Sequence, residues 1–169
     1  MIYHLSSNLH MHGKILRPRV PKYLEGFDPE DAYFENSETP RVCFSETIDG
    51  ALNSIFANLT PFNPVPYEII AVYSPEKDLL EYRHKSNCDL IRDGDVFDAN
   101  KTGELWILEA VKLKLYGILK IDSVSSVFMA DTVQTKKGFA GKRPYYTFNY
   151  HWYVNPSIFE NYERGYECE

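Results

Sequence analysis

PRVCFSETIDGALNSIFANL, residues 40–59, holds the transition that decides the fold: a short apolar run passes directly into a stretch with helical period. Arg41-Val42-Cys43-Phe44 has β-forming residues at its centre and predicts a buried strand, with Cys43 as a core residue. Ile48, Ala51, Leu52, Ile55, Phe56 and Leu59 then recur at the spacing of one helical face. Ser45 stands at the junction, where its hydroxyl suits an N-cap, and Glu46 and Asp49 suit the positive end of the helix dipole.

On the N-terminal side, residues 1–6 read as an opening strand and residues 7–13 as a turn. Residues 14–21, KILRPRVP, are basic and carry two prolines that fix φ and push their predecessors into extended conformations, which predicts a stiff arm. Residues 25–39 are acidic and rich in turn formers, as in a surface loop. On the C-terminal side, three prolines in residues 60–66 end the helix. Tyr67-Glu68-Ile69-Ile70-Ala71-Val72-Tyr73 is apolar almost throughout, as a central strand is. Residues 74–102 mix charges with turn signals around a short helix or strand. Residues 104–110 and 114–121 read as two strands or one long bent strand. The basic stretch 136–144 predicts a flexible loop, and residues 145–154 alternate aromatic and polar side chains as a closing strand does.

An order of strand, arm, strand, helix and then mostly strands predicts an α+β fold: strongly twisted, mainly antiparallel sheets with a few helices. At 169 residues and 44% hydrophobic composition the chain has enough apolar material for one core, so residues 1–169 read as a single domain. Thirteen tyrosines and ten phenylalanines favour pleated faces covered by rings. A net charge of −6 argues against strong general nucleic-acid or anionic-lipid binding, since both need cationic surface. No apolar run approaches the roughly 20 residues of a membrane span, and the N-terminus lacks the layout of a signal peptide, which predicts a cytoplasmic protein. Cys43, Cys88 and Cys168 suit neither a disulfide framework nor a paired-cysteine zinc site. His10 and His12 lack neighbouring third and fourth ligands, so no metal is expected. Neither a dinucleotide-binding nor a P-loop glycine motif is present.

Three short pieces carry the chemistry. IYHLS at residues 2–6, RVCFS at 41–45 and GELWIL at 103–108 together resemble the signature of the ADP-ribosyltransferase family. The likeness is to its histidine-bearing branch, which includes the poly-ADP-ribose polymerases and RNA 2′-phosphotransferases. There a histidine lies on the first strand in an H-G-[ST] context, a G-[IV]-Y-F-[AS] strand enters a helix, and a glutamate opens a later strand. His4, Val42-Cys43-Phe44-Ser45 and Glu104 fill these slots in order. Leu5 stands where the family has glycine, and Cys43 where it has the tyrosine that stacks on nicotinamide.

The resemblance implies an ADP-ribosyltransferase-like fold and NAD as substrate. Cleaving the nicotinamide–ribose bond develops positive charge on the ribose, which a carboxylate both orients and stabilises, the role implied for Glu104. His4 would bind the adenosine ribose, the backbone at Leu5 would hold the nicotinamide amide, and Ser6 would be a further cofactor-binding residue. Phe44, or a tyrosine from elsewhere, would stack on the ring beside Ser45. Arg17 and Arg19, on the same side of an extended arm, suit the pyrophosphate. Glu109 falls on the opposite face of a regular strand from Glu104 and is the weaker carboxylate candidate. The arrangement requires His4 and Glu104 to face one open cleft beside the start of the helix; on opposite faces of the sheet, the family assignment fails. Transfer to a protein or nucleic-acid acceptor is the expected activity. The alternative is a non-catalytic nucleotide-binding or protein-interaction module on the same scaffold, of a kind that bacteriophages and effectors encode.

Overall fold

The computed structural model describes residues 1–20, 38–55, 69–96, 98–134 and 140–153, with the backbone alone for 125–134 and 140–144. The sequence readings on residues 25–37 and 60–66, on Phe56 and Leu59 of the helical face, on Tyr67, on most of the basic loop and on Cys168 lie outside these residues.

Eight strands and three helices are described. In chain order they are β1 (His4–Ser6), β2 (Ile15–Leu16), β3 (Val42–Ser45), α1 (Ile48–Ile55), β4 (Ile69–Pro75), β5 (His84–Lys85), α2 (Asn87–Arg92), α3 (Ala99–Thr102), β6 (Glu104–Ile107), β7 (Val111–Gln134) and β8 (Ala140–Tyr153). Every pairing is antiparallel, and the strands form two sheets: a large one in the order β1-β4-β7-β2, with β8 also on β7, and a small one in the order β3-β6-β5. The fold is therefore α+β, as the sequence pattern predicts.

The apolar run before Tyr73 becomes β4, flanked on both sides and buried from Ile70 onward, which explains why it lacks polar alternation. Residues 104–121 are two strands, not one bent strand: β6 belongs to the small sheet and β7 to the large one. Residues 140–144, read in the sequence as the end of a flexible loop, instead start β8, where Pro144 pairs with Met129 and Arg143 with Ala130.

Three apolar clusters follow from strand alternation. Val42 and Phe44 of β3 and Leu105 and Ile107 of β6 meet Ala71 and Tyr73 of β4 and Val111 and Leu113 of β7 in a core between the sheets. On the opposite face of the large sheet, Leu5, Ile70, Val72, Leu119 and Ile121 receive Ala51 and Leu52 of α1. On the outer face of the small sheet, Trp106 packs with Leu90, Val96 and Ala99 from the α2–α3 region. The two faces of β3 and β6 thus serve different neighbours.

Candidate functional site

The corner after β3 is built differently from a simple capped helix. Helix α1 starts at Ile48, and its cap is Thr47: the Thr47 hydroxyl accepts the Gly50 N–H at 3.0 Å, and its carbonyl accepts the Ala51 N–H at 3.1 Å. Ser45, the cap expected from the sequence, is 1% exposed and ties the corner to the end of α3. Its hydroxyl accepts the Thr47 N–H at 3.2 Å and lies 2.6 Å from the Thr102 carbonyl and 2.8 Å from that of Thr47, with one proton to donate. Glu46 N–H donates to Gly103 at 2.9 Å, and Gly103 takes the left-handed conformation, φ 62°, that turns α3 into β6 at Glu104. Gly50 is required by proximity: a Cβ there would lie 1.9 Å from the Thr102 carbonyl oxygen. Residues 45–50 and 102–104 therefore form one interlocked corner.

Strand register places the rest. Ser45 is directly opposite Glu104, and Tyr3 bridges Ser45 through two backbone hydrogen bonds of 2.8 and 2.9 Å. Beyond Tyr3 the two chains part, because β1 continues on β4 and not on β3. Tyr3 directs its N–H and C=O at β3, so by alternation Leu5 presents its backbone groups to the same side, where the described part of β1 makes no further bridge to β3. The Cys43 carbonyl, which a continued ladder would pair with Leu5, accepts the His4 ring at Nδ1, 2.9 Å away. Further along the same edge, Arg19 and Arg41 make a second isolated bridge. The join between the sheets is therefore a seam, closed at Tyr3–Ser45 and Arg19–Arg41 and wedged between them by His4.

His4 packs against Phe44, ring centroids 5.6 Å apart, and pairs with Tyr73 across the strands, so it points to the side of the core between the sheets. Burial lowers its pKa, with the Arg19 guanidinium adding to the effect, and the bond to Cys43 only partly offsets them. A neutral ring donating from Nδ1 leaves Nε2 as an acceptor. Glu104 shares the other face with Ser45 and Trp106, and the shared cleft wall expected from the sequence is not formed: His4 and Glu104 lie on opposite faces. The reason is parity. Glu104 pairs with Ser45, whereas His4 is level with Phe44, one residue away.

Glu104 is 5% exposed and accepts the Trp106 indole N–H at 2.8 Å. The buried Arg41 lies over that indole, its Cζ 3.9 Å from the ring centroid. Trp106 and Arg41 were not legible as site residues, although Glu104-Leu105-Trp106 carries a signal: side chains two apart on a strand share a face.

The remaining candidates are dispersed. Phe44 is 2% exposed inside the core and offers no open stacking face, a correction of the role implied for it. Cys43, expected to be buried, is exposed. The Leu5 side chain belongs to the α1 core, while its backbone faces the seam. Ser6 is used locally, its hydroxyl accepting the Asn8 N–H at 3.1 Å. Arg17 and Arg19 are exposed on the arm, and Arg19 is the one placed near His4. Glu109 follows β6 and accepts the Arg83 N–H at 2.6 Å. His12 Nδ1 accepts the Leu115 N–H at 3.1 Å. Among the described residues no group of three or more His, Cys, Asp or Glu side chains is placed to hold a metal ion, and no helix is long and apolar enough to cross a membrane. No family model, curated protein or solved structure matches the chain.

Proposed function

We propose that the seam between β1 and β3 binds NAD and that the chain transfers its ADP-ribosyl group to a macromolecular acceptor. The observation that carries this reading is convergence: the three sequence pieces that resemble the ADP-ribosyltransferase signature, far apart in the chain, lie on neighbouring strands, with the start of β1 bridged to β3 and β3 paired with β6. His4 and Glu104 lie on opposite faces and line no common cleft, which counts against the family's two-residue site, so the reading rests on the adjacency of the three pieces, with Glu104 assigned to the reacting ribose. His4 Nε2 accepts a ribose hydroxyl, the Leu5 backbone supplies hydrogen bonds to the nicotinamide amide, and Arg19 meets the pyrophosphate. As the C–N bond breaks, nicotinamide leaves with the bonding pair. The Glu104 carboxylate stabilises the charge left on the ribose, and the acceptor nucleophile attacks the anomeric carbon with loss of its proton.

The test is nicotinamide release from NAD. Glu104→Ala abolishes it while the melting temperature shows a folded protein; turnover surviving in that variant refutes the mechanism. A second reading, nucleotide binding without turnover, is favoured by one observation: Glu104 is buried. Under that reading NAD raises the melting temperature and no nicotinamide appears.

A further inference from the structure

We propose that Trp106 is the positioning residue for Glu104, with Arg41 acting through it; this rests on the ADP-ribosyl reading above and extends it to residues that the sequence likeness does not assign. A carboxylate 5% exposed at the first position of a strand needs a fixed donor, both to offset its desolvation and to select one rotamer. Trp106 supplies it. Its side chain is fully buried, so packing against Leu90, Val96 and Ala99 fixes the ring plane, and its only polar atom meets Glu104 Oε1 at 2.8 Å. A hydrogen bond to a carboxyl oxygen from so constrained a donor is more directional than one between mobile groups.

Arg41 completes the row. Its guanidinium lies over the indole face, and its Nη1 donates to the Thr39 carbonyl at 3.3 Å, an anchor that holds it over the ring. A cation over the ring draws indole electron density toward itself and away from the N–H, which makes that group a better donor. The electrostatic influence of Arg41 thus reaches Glu104 through the tryptophan. Arg41, Trp106 and Glu104 share one face of β3 and β6 because Cys43 pairs with Trp106 and Ser45 with Glu104.

Trp106→Phe keeps most of the buried ring and deletes only the donor. With NAD it is expected to bind within about twofold of the parent while kcat for nicotinamide release falls about 10- to 100-fold, the cost of one hydrogen bond to a charged group. A purely structural role would instead lower the melting temperature and leave kcat of the folded fraction unchanged; that result, or parental kcat, overturns the proposal. The bond is also read without turnover. Of the two tryptophans, the indole N–H resonance lost in Trp106→Phe is assigned to this site, and in Glu104→Met it moves upfield as the acceptor disappears. An unmoved resonance refutes the positioning whatever the activity. A moved resonance in a protein that releases no nicotinamide supports the positioning and removes the ADP-ribosyl reading instead.

Discussion

The two faces of the small sheet come from alternate residues of the same two strands and are built for different purposes. Facing the large sheet, Val42, Phe44, Leu105 and Ile107 are apolar, between 0% and 5% exposed, and close a core that includes the Tyr73 ring. Facing outward, Arg41, Ser45, Glu104 and Trp106 are just as buried, yet three of the four are polar or charged. Burial on the first face is stabilising through area removed from water. On the second it is costly unless each polar group is met; hydrogen bonds from Trp106 to Glu104 and between Ser45 and Thr102 meet two of them, while the buried Arg41 Nε makes no hydrogen bond among the described residues. Trp106 stabilises the outer face through its packing with Leu90, Val96 and Ala99, whereas the buried Arg41, Ser45 and Glu104 beside it cost desolvation, which is why this face, not the core, draws the functional reading.

Substitutions separate the two. Trp106→Ala removes the largest buried side chain of the outer face and is expected to cost about 3–5 kcal/mol of stability, against about 2–5 kcal/mol for Leu105→Ala on the inner face. Urea titrations measure both. If the faces differ in purpose, folded Leu105→Ala retains NAD binding, whereas the outer-face variant loses it; equal loss in both would collapse the distinction.

Gly50→Ala strikes the interlocked corner. Its Cβ would meet a backbone oxygen, which cannot rotate away, so α1 must lift from Thr102 at about 1–3 kcal/mol or more, read as a lower urea midpoint. A smaller effect follows from Thr47→Ala, which loses the helix cap at about 1 kcal/mol. Ser45→Ala should not behave as a cap loss: it frees the Thr102 carbonyl, so hydrogen exchange should quicken around 102–104 and not only in the first turn of α1.

The smallest effect belongs to the inner face. Burial holds His4 below its ordinary value of 6.5, so as pH falls the unfolded chain takes up the proton first, and stability declines from near that value down to the folded pKa and is level below it. His4→Asn retains a donor for the Cys43 carbonyl and removes the titration, so stability measured from pH 7.5 to 5 should lose this part of its slope. An unchanged slope would place His4 in a solvated setting and weaken its placement at the seam.

Much of this architecture was legible in the chain. The strand-to-helix passage at residues 40–55, the central strand through Tyr73 and the antiparallel α+β pattern are encoded by local periodicity, which depends only on which neighbours are apolar. The cap was displaced by two residues because Ser45 found a stronger use in a partner 57 residues away in the chain, the Thr102 carbonyl. Cys43 looked like core because its neighbours Val42 and Phe44 are core, but the strand alternates and turns it outward.

The sequence by itself determined the strand and helix after residue 40, the central strand through Tyr73 and the order in which the three chemical pieces occur, since these are properties of short windows. Only the tertiary structure decided that the pieces meet at one seam, that His4 and Glu104 take opposite faces, and that Trp106 holds the carboxylate. The physical reason is register. Each strand carries its own alternation, but which face of one strand joins which face of the next is set by pairings such as Tyr3 with Ser45 and Ser45 with Glu104, and a shift of one residue in either would reverse the result.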